Sequence, residues 1–285
     1  MTMRAVVRGV GHYLPDRVVE NSEFEATLDT SDAWIRTRSG IERRHFAAPG
    51  QATSDLAMRA GRAALADAGW AADDLDALIV ATSTPDLTFP AVATMVQAGL
   101  GMTRGFAFDM QAVCAGFIYA LANAQALIAS GQARRVMVIG AETFSRILDM
   151  TDRSTCVLFG DGAGALVLEG ADGAGTSADR GILATDLHSD GRHRDILYVD
   201  GGVSTGTSGV VRMEGKEVFR HAVEKLAQTA HAALGKTGLG PDDVDWIVPH
   251  QANLRIIKAT AQRMGLPMER AVLPVQDHGN TSPAS

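Results

Sequence analysis

The stretch AALADAGWAADDLDAL at residues 63–78 returns as AALGKTGLGPDDVDWI at residues 232–247, an offset of 169 positions. Seven of the sixteen positions are identical, and both copies predict the same local structure. A helix ends at a glycine, Gly69 or Gly238, and an aspartate-containing turn then leads into a short apolar strand. Unrelated helix–turn–strand units can converge on this pattern, but a match of this extent favours an internal duplication.

Both copies continue in the same way after the apolar strand. A helix is predicted over residues 91–98 or 254–264, and a strand over residues 106–109 or 271–275. Alternating strands and helices are typical of parallel sheets that are covered by helices. Two such halves predict an α/β fold, a layered αβαβα sandwich.

The two predicted halves, residues 1–170 and 171–285, diverge after their matching strands. The first half adds one helix and two strands, over residues 115–130, 136–141 and 163–169. The second half has no counterpart of these three elements, so we expect it to be incomplete. One face of the helix that begins after Cys114 is then expected to lack a packing partner.

The composition is typical of a globular protein with a sizeable core. Of the 285 residues, 46% are apolar and 21% are charged, and the net charge is −7. This charge favours neither nucleic acid nor an anionic membrane as a partner. The apolar stretch at residues 112–129 nearly reaches the length of a membrane span, but it includes Asn123 and Gln125, and we interpret it as a buried central helix. The first residues, MTMRAVVRGVGHYLP, do not resemble a signal peptide.

The chain has two cysteines, Cys114 and Cys156, and no CxxC pair. A disulfide framework or a thiolate metal site is therefore not expected, and a reducing cytoplasm fits. Cys156 falls in an apolar stretch that we predict to be a core strand. Cys114 lies between a strand and an apolar helix, where unpaired N–H groups and the helix dipole favour a thiolate. On this segment alone, a buried cysteine that packs as a small hydrophobic residue remains an equal alternative.

His250 and Asn280 also come after predicted strands. His250 lies soon after the strand at residues 246–248, and Asn280 lies in the run HGNTS after the next strand. Because α/β sheets place ligand sites at the carboxyl ends of strands, both side chains can meet Cys114 where the halves join. An offset of 168 places Ser282 opposite Cys114. A lone histidine is more often structural, but a thiol, an imidazole and an amide at matching strand ends predict nucleophilic catalysis.

The glycine-rich run FGDGAGA at residues 159–165 has the composition of a phosphate-binding loop. However, a strand is predicted to come after it, and phosphate loops use the dipole of a helix in that position. We therefore interpret this run as a tight turn between two strands.

Five motifs resemble, in order along the chain, those of the β-ketoacyl-acyl carrier protein synthase III family of thiolase-fold condensing enzymes. They are SDAWIRTRSGI at 31–41, AVCAGF at 112–117, FGDGAG at 159–164, VPHQANLR at 248–255 and HGNTS at 278–282. The cysteine–histidine–asparagine set is shared with relatives such as plant-type polyketide synthases. The segment around Trp34 and the HQANLR run are more specific to this family. The resemblance implies that the predicted αβαβα sandwich is thiolase-like.

The resemblance also implies a two-stage reaction. Cys114 attacks the thioester of a short acyl-CoA and releases CoA, and its own backbone N–H is one oxyanion donor. Malonyl-acyl carrier protein then loses carbon dioxide, while His250 and Asn280 donate hydrogen bonds to the developing enolate oxygen. The carbanion attacks the acyl group on Cys114 and yields a 3-ketoacyl-carrier protein. No cofactor is implied besides these substrates.

By the same resemblance, four residues are expected to bind CoA. Trp34 would stack on the adenine, and Arg38 and Arg153 would lie near the phosphates. Asn253 would contact the pantetheine or a water molecule in the active site. For each arginine, a solvated surface charge is the alternative.

The resemblance further implies two protein contacts. Arg220 and Arg255 resemble the basic patch that receives the acidic acyl carrier protein. Phe89 and Phe159 resemble residues of the acyl pocket, and Phe89 would reach into the pocket of a partner subunit. A homodimer is therefore expected.

The sequence departs from the family pattern in two places. Lys216 stands where asparagine is common, and the family continues with a helix and two strands whose glycine-rich turn supplies a second oxyanion N–H. Three functions therefore remain open: the condensing enzyme, another acyl-CoA-using thiolase-fold synthase of the polyketide-starter or 3-hydroxy-3-methylglutaryl-CoA synthase type, and a catalytically silent fragment that only binds CoA or a partner subunit. Acetyl is the default starter group and is not predicted by any residue.

Overall fold

The structure is a computed structural model that describes residues 2–285. The strands are β1 (Thr2–Tyr13), β2 (Arg17–Glu20), β3 (Arg43–Phe46), β4 (Ala77–Ala81), β5 (Phe106–Met110), β6 (Arg135–Glu142), β7 (Gly162–Gly173), β8 (Leu197–Val199) and β9 (Val211–Met213). The helices are α1 (Asn21–Glu25), α2 (Asp32–Ser39), α3 (Thr53–Ala68), α4 (Val92–Leu100), α5 (Gly116–Ala129), α6 (Gly215–Thr237), α7 (Leu254–Arg263) and α8 (Val275–His278). In this range, no helix combines the length and the apolar character that a membrane crossing needs.

Five strands form one mixed sheet in the order β1-β7-β6-β4-β5. β4 pairs with β5 and β6 in parallel, and β7 runs antiparallel to both β6 and β1. α4 and α5 are the crossovers between the parallel strands, as such connections require. Four of the strands predicted for the first half form, and β7 continues past residue 170 to Gly173.

The side chains of β4 separate the two helical layers that cover this sheet. Leu78 and Val80 pack with α3 and α4 on one face, and Ala77, Ile79 and Ala81 pack with α5 on the other. Successive residues of a strand point to opposite faces, so a continuous apolar run is what a strand covered on both sides needs. The first half is therefore a helix–sheet–helix sandwich.

The internal repeat is visible in the helix ends. α3 ends at Gly69 with φ 68°, and α6 ends at Gly238 with φ 73°. In this left-handed conformation glycine avoids the clash that a Cβ atom would make. A short 3-10 turn comes after each cap, at Ala72–Asp74 and at Pro241–Asp243. The helix–turn unit predicted for both halves is confirmed.

The prediction of a strand after this turn in the second half is wrong. Only Ile247 pairs, through a single parallel bridge to Ala271. Its neighbours Trp246 and Val248 are 64% and 76% exposed, whereas all five residues of β4 are buried. Ile247 packs against buried residues such as Ile257 and Met264, but within residues 2–285 no strand pairs with its neighbours, so a hydrogen-bonded ladder does not extend along this segment.

The prediction of a strand over residues 271–275 is also wrong, except that the first of these residues forms the bridge to Ile247. Pro274 has φ −83° and ψ −1°, which is a helical conformation, and α8 begins at the next residue. Proline also lacks the N–H that a ladder would use. The second half therefore carries its candidate residues on loops and short helical turns.

α5 is buried on one face only. Gly116, Ala120, Ala124 and Ile128 are buried and recur every four residues, which is the spacing of one helix face. On another face, Ile118 is 48% exposed. The interpretation as a buried central helix therefore holds for one face of α5, and within the described range another face is exposed.

Two 3-10 turns, Val113–Ala115 and Ser282–Ala284, occupy matching places in the two halves. Each begins at a residue with positive φ, 49° at Val113 and 56° at Ser282. These residues are 169 positions apart, the same offset as in the repeat. The backbone therefore pairs Ser282 with Val113, and the predicted pairing of Ser282 with Cys114 is wrong by one residue.

Candidate active site

Cys114 lies where β5 leads into α5. The 3-10 turn at Val113–Ala115 carries the chain from the strand to the first residue of the helix, Gly116. The thiol therefore lies at the N-terminal end of a 14-residue helix. Unpaired N–H groups and the helix dipole favour an anion at this position. The predicted placement of Cys114 is confirmed.

The turn at Ser282–Ala284 brings a hydroxyl group to the thiol. The Oγ atom of Ser282 is 3.6 Å from the Sγ atom of Cys114, and Ser282 is fully buried. This turn packs on β6, where a Cβ atom on Gly140 would lie 2.2 Å from the carbonyl oxygen of Pro283. Only glycine permits this approach, so residue 140 helps to position Ser282.

Gln251 holds the loop that presents His250. Its Nε2 atom donates to the carbonyl oxygens of Pro249 at 2.7 Å and Val272 at 3.1 Å. Its Oε1 atom accepts from the N–H of Val275 at 3.2 Å, and its side chain is buried. All the hydrogen bonds of this amide are thus internal, and they fix a segment that has no ladder of its own.

His250 approaches both the thiol and the turn that carries Ser282. Its Nδ1 atom is 3.3 Å from the carbonyl oxygen and from the Oγ atom of Ser285. A carbonyl only accepts, so Nδ1 carries the hydrogen in this arrangement. The Nε2 atom is buried and has no hydrogen-bond partner among residues 2–285, which leaves it free for Cys114 or a substrate.

The charges of Cys114 and His250 stabilise each other. Burial alone would raise the pKa of the Cys114 thiol, but the nearby His250 imidazolium and the hydroxyl of Ser282 outweigh it, and the pKa is lowered. Burial likewise would lower the pKa of His250, but the Cys114 thiolate outweighs it, and the pKa is raised. The pair therefore favours a thiolate beside an imidazolium, and this favours a nucleophile over an inert buried cysteine.

Asn280 is held with its amide N–H groups available. Its Oδ1 atom accepts from the N–H of Ser282 at 2.9 Å. Its backbone pairs with residues 158–160, through hydrogen bonds with the carbonyl of Leu158 at 2.9 Å and the N–H of Gly160 at 3.0 Å. Because Oδ1 is occupied, the amide orientation leaves Nδ2 as the donor toward the site.

Cys156 is a core residue, as predicted, but it does not lie in a strand. It lies in a run of turns that begins where Asp152 accepts hydrogen bonds from the N–H of Ser154 and the hydroxyl of Thr155, at 2.9 Å each. Cys156 is fully buried, and burial raises the pKa of its thiol to about 11. This thiol is not a candidate nucleophile.

The glycine-rich run at residues 159–165 is not a turn between two strands, because turns come before it and its residues 162–165 already belong to β7. The predicted strand at this end of the run does form. The Asp161 carboxylate of this run is buried and accepts from the backbone N–H groups of Ala47 and Ser145, both at 2.7 Å. The acidic side chain thus joins neighbouring loops. A carboxylate in this role would repel a phosphate group.

The predicted CoA residues lie around α2. Ser31 caps this helix by accepting from the N–H of Trp34 at 3.1 Å. The guanidinium carbons of Arg38 and Arg153 lie 5.5 Å and 5.2 Å from the centre of the Trp34 ring. Arg153 also forms an exposed ion pair with Asp29 at 3.3 Å. The structure therefore brings the aromatic ring and both cations together.

Asn253 joins this region to α7. Its Nδ2 atom donates to the carbonyl oxygen of Arg38 at 3.0 Å, and its Oδ1 atom caps α7 by accepting from the N–H of Arg255 at 2.8 Å. Both ends of the amide are therefore used within the protein. Its most evident role is to position α2 against α7.

The predicted carrier-protein residues lie on α6 and α7, which pack together. Arg220 is exposed and pairs with Glu217 at 2.6 Å. Arg255 is exposed, and its guanidinium carbon lies 5.1 Å from the ring centre of Phe219. Lys216 is exposed near the start of α6. Basic side chains from two helices thus share one surface.

The two predicted acyl-pocket residues have very different surroundings. Phe89 is 82% exposed, in the loop between β4 and α4. Phe159 is buried and stacks on Phe144, with 4.5 Å between ring centres. Phe159 is also bridged to Asn280 through the backbone. It therefore lies directly behind the candidate site.

Two residues near Cys114, Ser282 and Glu142, were not predicted from the sequence to be functional groups. Ser282 served only to align the repeat, although its place two residues after Asn280 was a signal. Glu142 ends the apolar run RVMVIGAE of β6 and is fully buried. An acidic residue at the carboxyl end of an otherwise apolar strand is unusual, and this is the signal that could have identified Glu142.

Comparisons with known proteins agree with this geometry. Residues 108–191 match the sequence model of a family described as 3-Oxoacyl-[acyl-carrier-protein (ACP)] synthase III, and residues 234–285 match the model of its C-terminal part. A Beta-ketoacyl-[acyl-carrier-protein] synthase III of Cereibacter sphaeroides is 79% identical over 285 residues, which are 100% of this chain and 88% of the relative.

Solved structures are similar over nearly the whole chain. A 3-oxoacyl-(acyl carrier protein) synthase III from Pseudomonas aeruginosa superposes with a TM-score of 0.92 at 44% identity, covering 99% of this chain and 86% of the other. A priming β-ketosynthase from the R1128 polyketide biosynthetic pathway superposes with a TM-score of 0.91 at 34% identity, covering 100% and 85%. The thiolase-like α/β fold predicted from the sequence is confirmed by these likenesses.

Proposed function

This chain belongs to the 3-oxoacyl-(acyl carrier protein) synthase III family, and from that premise we propose that Cys114, His250 and Asn280 are its catalytic residues. The chain is a condensing enzyme of the acyltransferase class that initiates fatty acid synthesis. The observation that carries the proposed roles is the mutually stabilised thiol and imidazole at the start of α5.

In the first stage, His250 Nε2 takes the proton of the Cys114 thiol. The thiolate attacks the carbonyl carbon of a short acyl-CoA, a new carbon–sulfur bond forms, and CoA leaves with the electron pair of the old one. The CoA thiolate takes a proton from solvent. The helix N-terminus and the backbone N–H of Cys114 stabilise the oxyanion of this step.

His250 keeps the thiol proton and uses it as a hydrogen-bond donor in the second stage. Malonyl-acyl carrier protein loses carbon dioxide, and the electron pair of the broken carbon–carbon bond forms an enolate. The Nε2–H of His250 and the Nδ2–H of Asn280 donate to the enolate oxygen. The enolate carbon attacks the acyl group, and Cys114 leaves as a thiolate that pairs with His250 again. Both stages balance without a redox agent or a metal, so we propose no cofactor.

Substrate binding is assigned to the surfaces that surround this site. The cluster of Trp34, Arg38 and Arg153 would hold the CoA nucleotide, since an aromatic face and guanidinium groups suit adenine and phosphates. Asn253 would orient this cluster from α7. Arg220 and Arg255 would receive the acidic carrier protein.

We also propose a homodimer and a cytoplasmic location. The exposure of Phe89, at 82%, supports a contact with the acyl pocket of a partner subunit. The free thiols of Cys114 and Cys156 suit a reducing compartment. Sedimentation of the parent chain and of Phe89→Ser would test the dimer: loss of a dimer in the variant supports it, and a monomeric parent contradicts it.

Intact-mass measurement after incubation with several acyl-CoAs tests the central proposal. We expect a covalent acyl adduct that is absent in Cys114→Ala. Folded protein that gains no adduct from any acyl-CoA would overturn the proposed chemistry and favour a fragment that only binds CoA or a partner subunit. Carbon dioxide release from malonyl-acyl carrier protein by the acylated form tests the second stage.

A further inference from the structure

Glu142 is a buried carboxyl group with no cationic partner. Its side chain is fully buried at the end of β6, and no ion pair among residues 2–285 includes it. The group accepts three hydrogen bonds from the turn at the end of β4. Oε1 accepts from the N–H of Ser83 at 2.8 Å, and Oε2 accepts from the hydroxyls of Thr84 and, at 3.3 Å, of Thr82.

The surrounding hydrogen bonds direct all three donors at Glu142. The Oγ atom of Thr84 accepts from the N–H of Thr143 at 2.9 Å, and the Oγ atom of Thr82 accepts from the N–H of Thr84 at 3.1 Å. Each hydroxyl therefore keeps its own hydrogen for the carboxyl group. Three donors and no acceptor form a cradle for the ionised form. Burial opposes that form and raises the pKa of Glu142 to about 7.

The same turn is tied to the strand that leads to Cys114. The N–H of Thr82 donates to the carbonyl oxygen of Met110, the last residue of β5, at 3.1 Å. Glu142 and Thr82 thus stand at the carboxyl ends of β6 and β4, beside the strand that carries the nucleophile. The negative charge of Glu142 acts to raise the pKa of the Cys114 thiol, against the effect of His250.

We propose that Glu142 is a positioning residue for the condensing reaction: in its ionised form, which the 82–84 turn stabilises, it opposes the accumulation of negative charge on the Cys114 sulfur. The inference rests on the proposed role of Cys114 as the nucleophile. A thiolate that is stabilised too strongly becomes a weaker nucleophile, because nucleophilicity falls as basicity falls. His250, Ser282 and the N-terminus of α5 all stabilise the thiolate. Burial and the Glu142 carboxylate oppose them, and this opposition keeps the thiolate basic and therefore more nucleophilic.

The pH dependence of Cys114 alkylation by iodoacetamide, monitored by peptide mass mapping, tests this proposal. In Glu142→Gln the size is kept and the charge is removed, so we expect the alkylation midpoint to fall by roughly half to one pH unit. Below the parent midpoint, alkylation is then about two to three times faster than in the parent protein, because the larger thiolate fraction outweighs the lower nucleophilicity of each thiolate. The matched control is Thr53→Val, which removes the hydroxyl that donates to the carbonyl oxygen of Thr84 at 2.6 Å and so loosens the same turn. It keeps Glu142 and all three of its donors, so its midpoint is expected to stay at the parent value.

The alternatives give different results. An unchanged or higher midpoint in Glu142→Gln overturns the proposal, and so does an equal fall in both variants, because a loosened turn would then explain it. Alkylation needs no acyl-CoA, so a protein that shows the shift but forms no acyl adduct contradicts the proposed function, while the coupling between Glu142 and the thiol is still demonstrated.

A second measurement does not depend on the folding of Glu142→Gln. The infrared carbonyl band of protonated Glu142 can be titrated in the parent protein and in Cys114→Ala. Because coupling between two sites is reciprocal, loss of the thiolate should lower the midpoint of Glu142. Equal midpoints in the two proteins would show that the groups do not interact and would overturn the proposal.

Discussion

Val113 and Ser282 lie 169 residues apart and share the same left-handed backbone conformation, with φ 49° and 56°. Each begins a 3-10 turn, and together these turns bring the Cys114 sulfur to 3.6 Å from the Ser282 hydroxyl. The left-handed conformation costs a residue with a Cβ atom about 1–2 kcal/mol. The surrounding structure therefore holds two strained residues on opposite sides of the nucleophile.

Substitutions at Ser282 separate the hydroxyl from the backbone strain. Ser282→Ala and Ser282→Gly both remove the hydroxyl, and we expect each to slow alkylation of Cys114 about fivefold, equivalent to a lost hydrogen bond of about 1 kcal/mol. We expect the glycine variant to be the more stable by about 1 kcal/mol, since only glycine adopts positive φ without strain. Urea unfolding and alkylation rates provide the two measurements. Equal stability of the variants would contradict the strain.

Removal of the imidazole should make the thiol less acidic. His250 lowers the pKa of Cys114 against the effect of burial, so in His250→Ala burial dominates and the pKa rises. Thiolate is lost as pH falls through that pKa, and alkylation at pH 7 should be at least about ten times slower than in the parent protein. His231→Ala, which removes an exposed imidazole, is the control. A midpoint that stays in place would disprove the pairing.

Asn280→Asp should affect the two stages differently. The carboxylate can still accept from the N–H of Ser282, but it cannot donate to an enolate oxygen. We expect acylation of the cysteine to persist, and carbon dioxide release from malonyl-acyl carrier protein to fall by about 10²–10³-fold. Intact mass reports the first stage and radiolabelled carbon dioxide the second. Equal losses in both stages would contradict this division of roles.

Arg255→Glu should weaken carrier-protein binding without affecting acylation. Reversal of one exposed charge in a basic patch is expected to raise the KM for malonyl-acyl carrier protein about tenfold at low salt, and less at high salt. Arg263→Glu reverses an exposed charge at the other end of the same helix and serves as the control. Similar KM values in the two variants would remove Arg255 from the docking surface.

Arg153→Ala should weaken CoA binding at little cost in stability. Loss of one guanidinium beside the Trp34 ring is expected to raise the KM for acyl-CoA roughly five- to thirtyfold. Because its ion pair with Asp29 is exposed, we expect the melting temperature to stay within a degree or two. Arg192→Ala, another exposed arginine, is the comparison. An unchanged KM would exclude Arg153 from the nucleotide site.

The elements that were predicted correctly from the sequence are those that an apolar pattern and a glycine cap are enough to define. β4 forms where the apolar strand was predicted, because a strand that is covered on both faces needs an uninterrupted apolar run. α5 lies within one residue of its predicted bounds at each end. The sequence analysis also predicted that Cys114, His250 and Asn280 meet at one site, although the strands predicted before His250 and Asn280 reduce to the single bridge between Ile247 and Ala271.

Prediction failed where structure depends on partners far along the chain. Trp246 and Val248 have the pattern of a strand, but a strand forms only where a neighbour supplies hydrogen bonds. The contact of Ser282 with Cys114 depends on a left-handed residue, which side-chain type does not reveal. The role of Glu142 was not predictable from the sequence because its three hydrogen-bond donors come from a turn about 60 residues earlier in the chain.

The matched turns at Val113 and Ser282 have a consequence for how such a site could arise. A single ancestral half that paired with its own copy around a two-fold axis would have brought two identical turns face to face. After the two halves became one chain, each turn was free to specialise. One would then have acquired the nucleophilic cysteine, and the other the serine hydroxyl that lies beside it. The asymmetry of the chemistry would thus be younger than the scaffold that supports it.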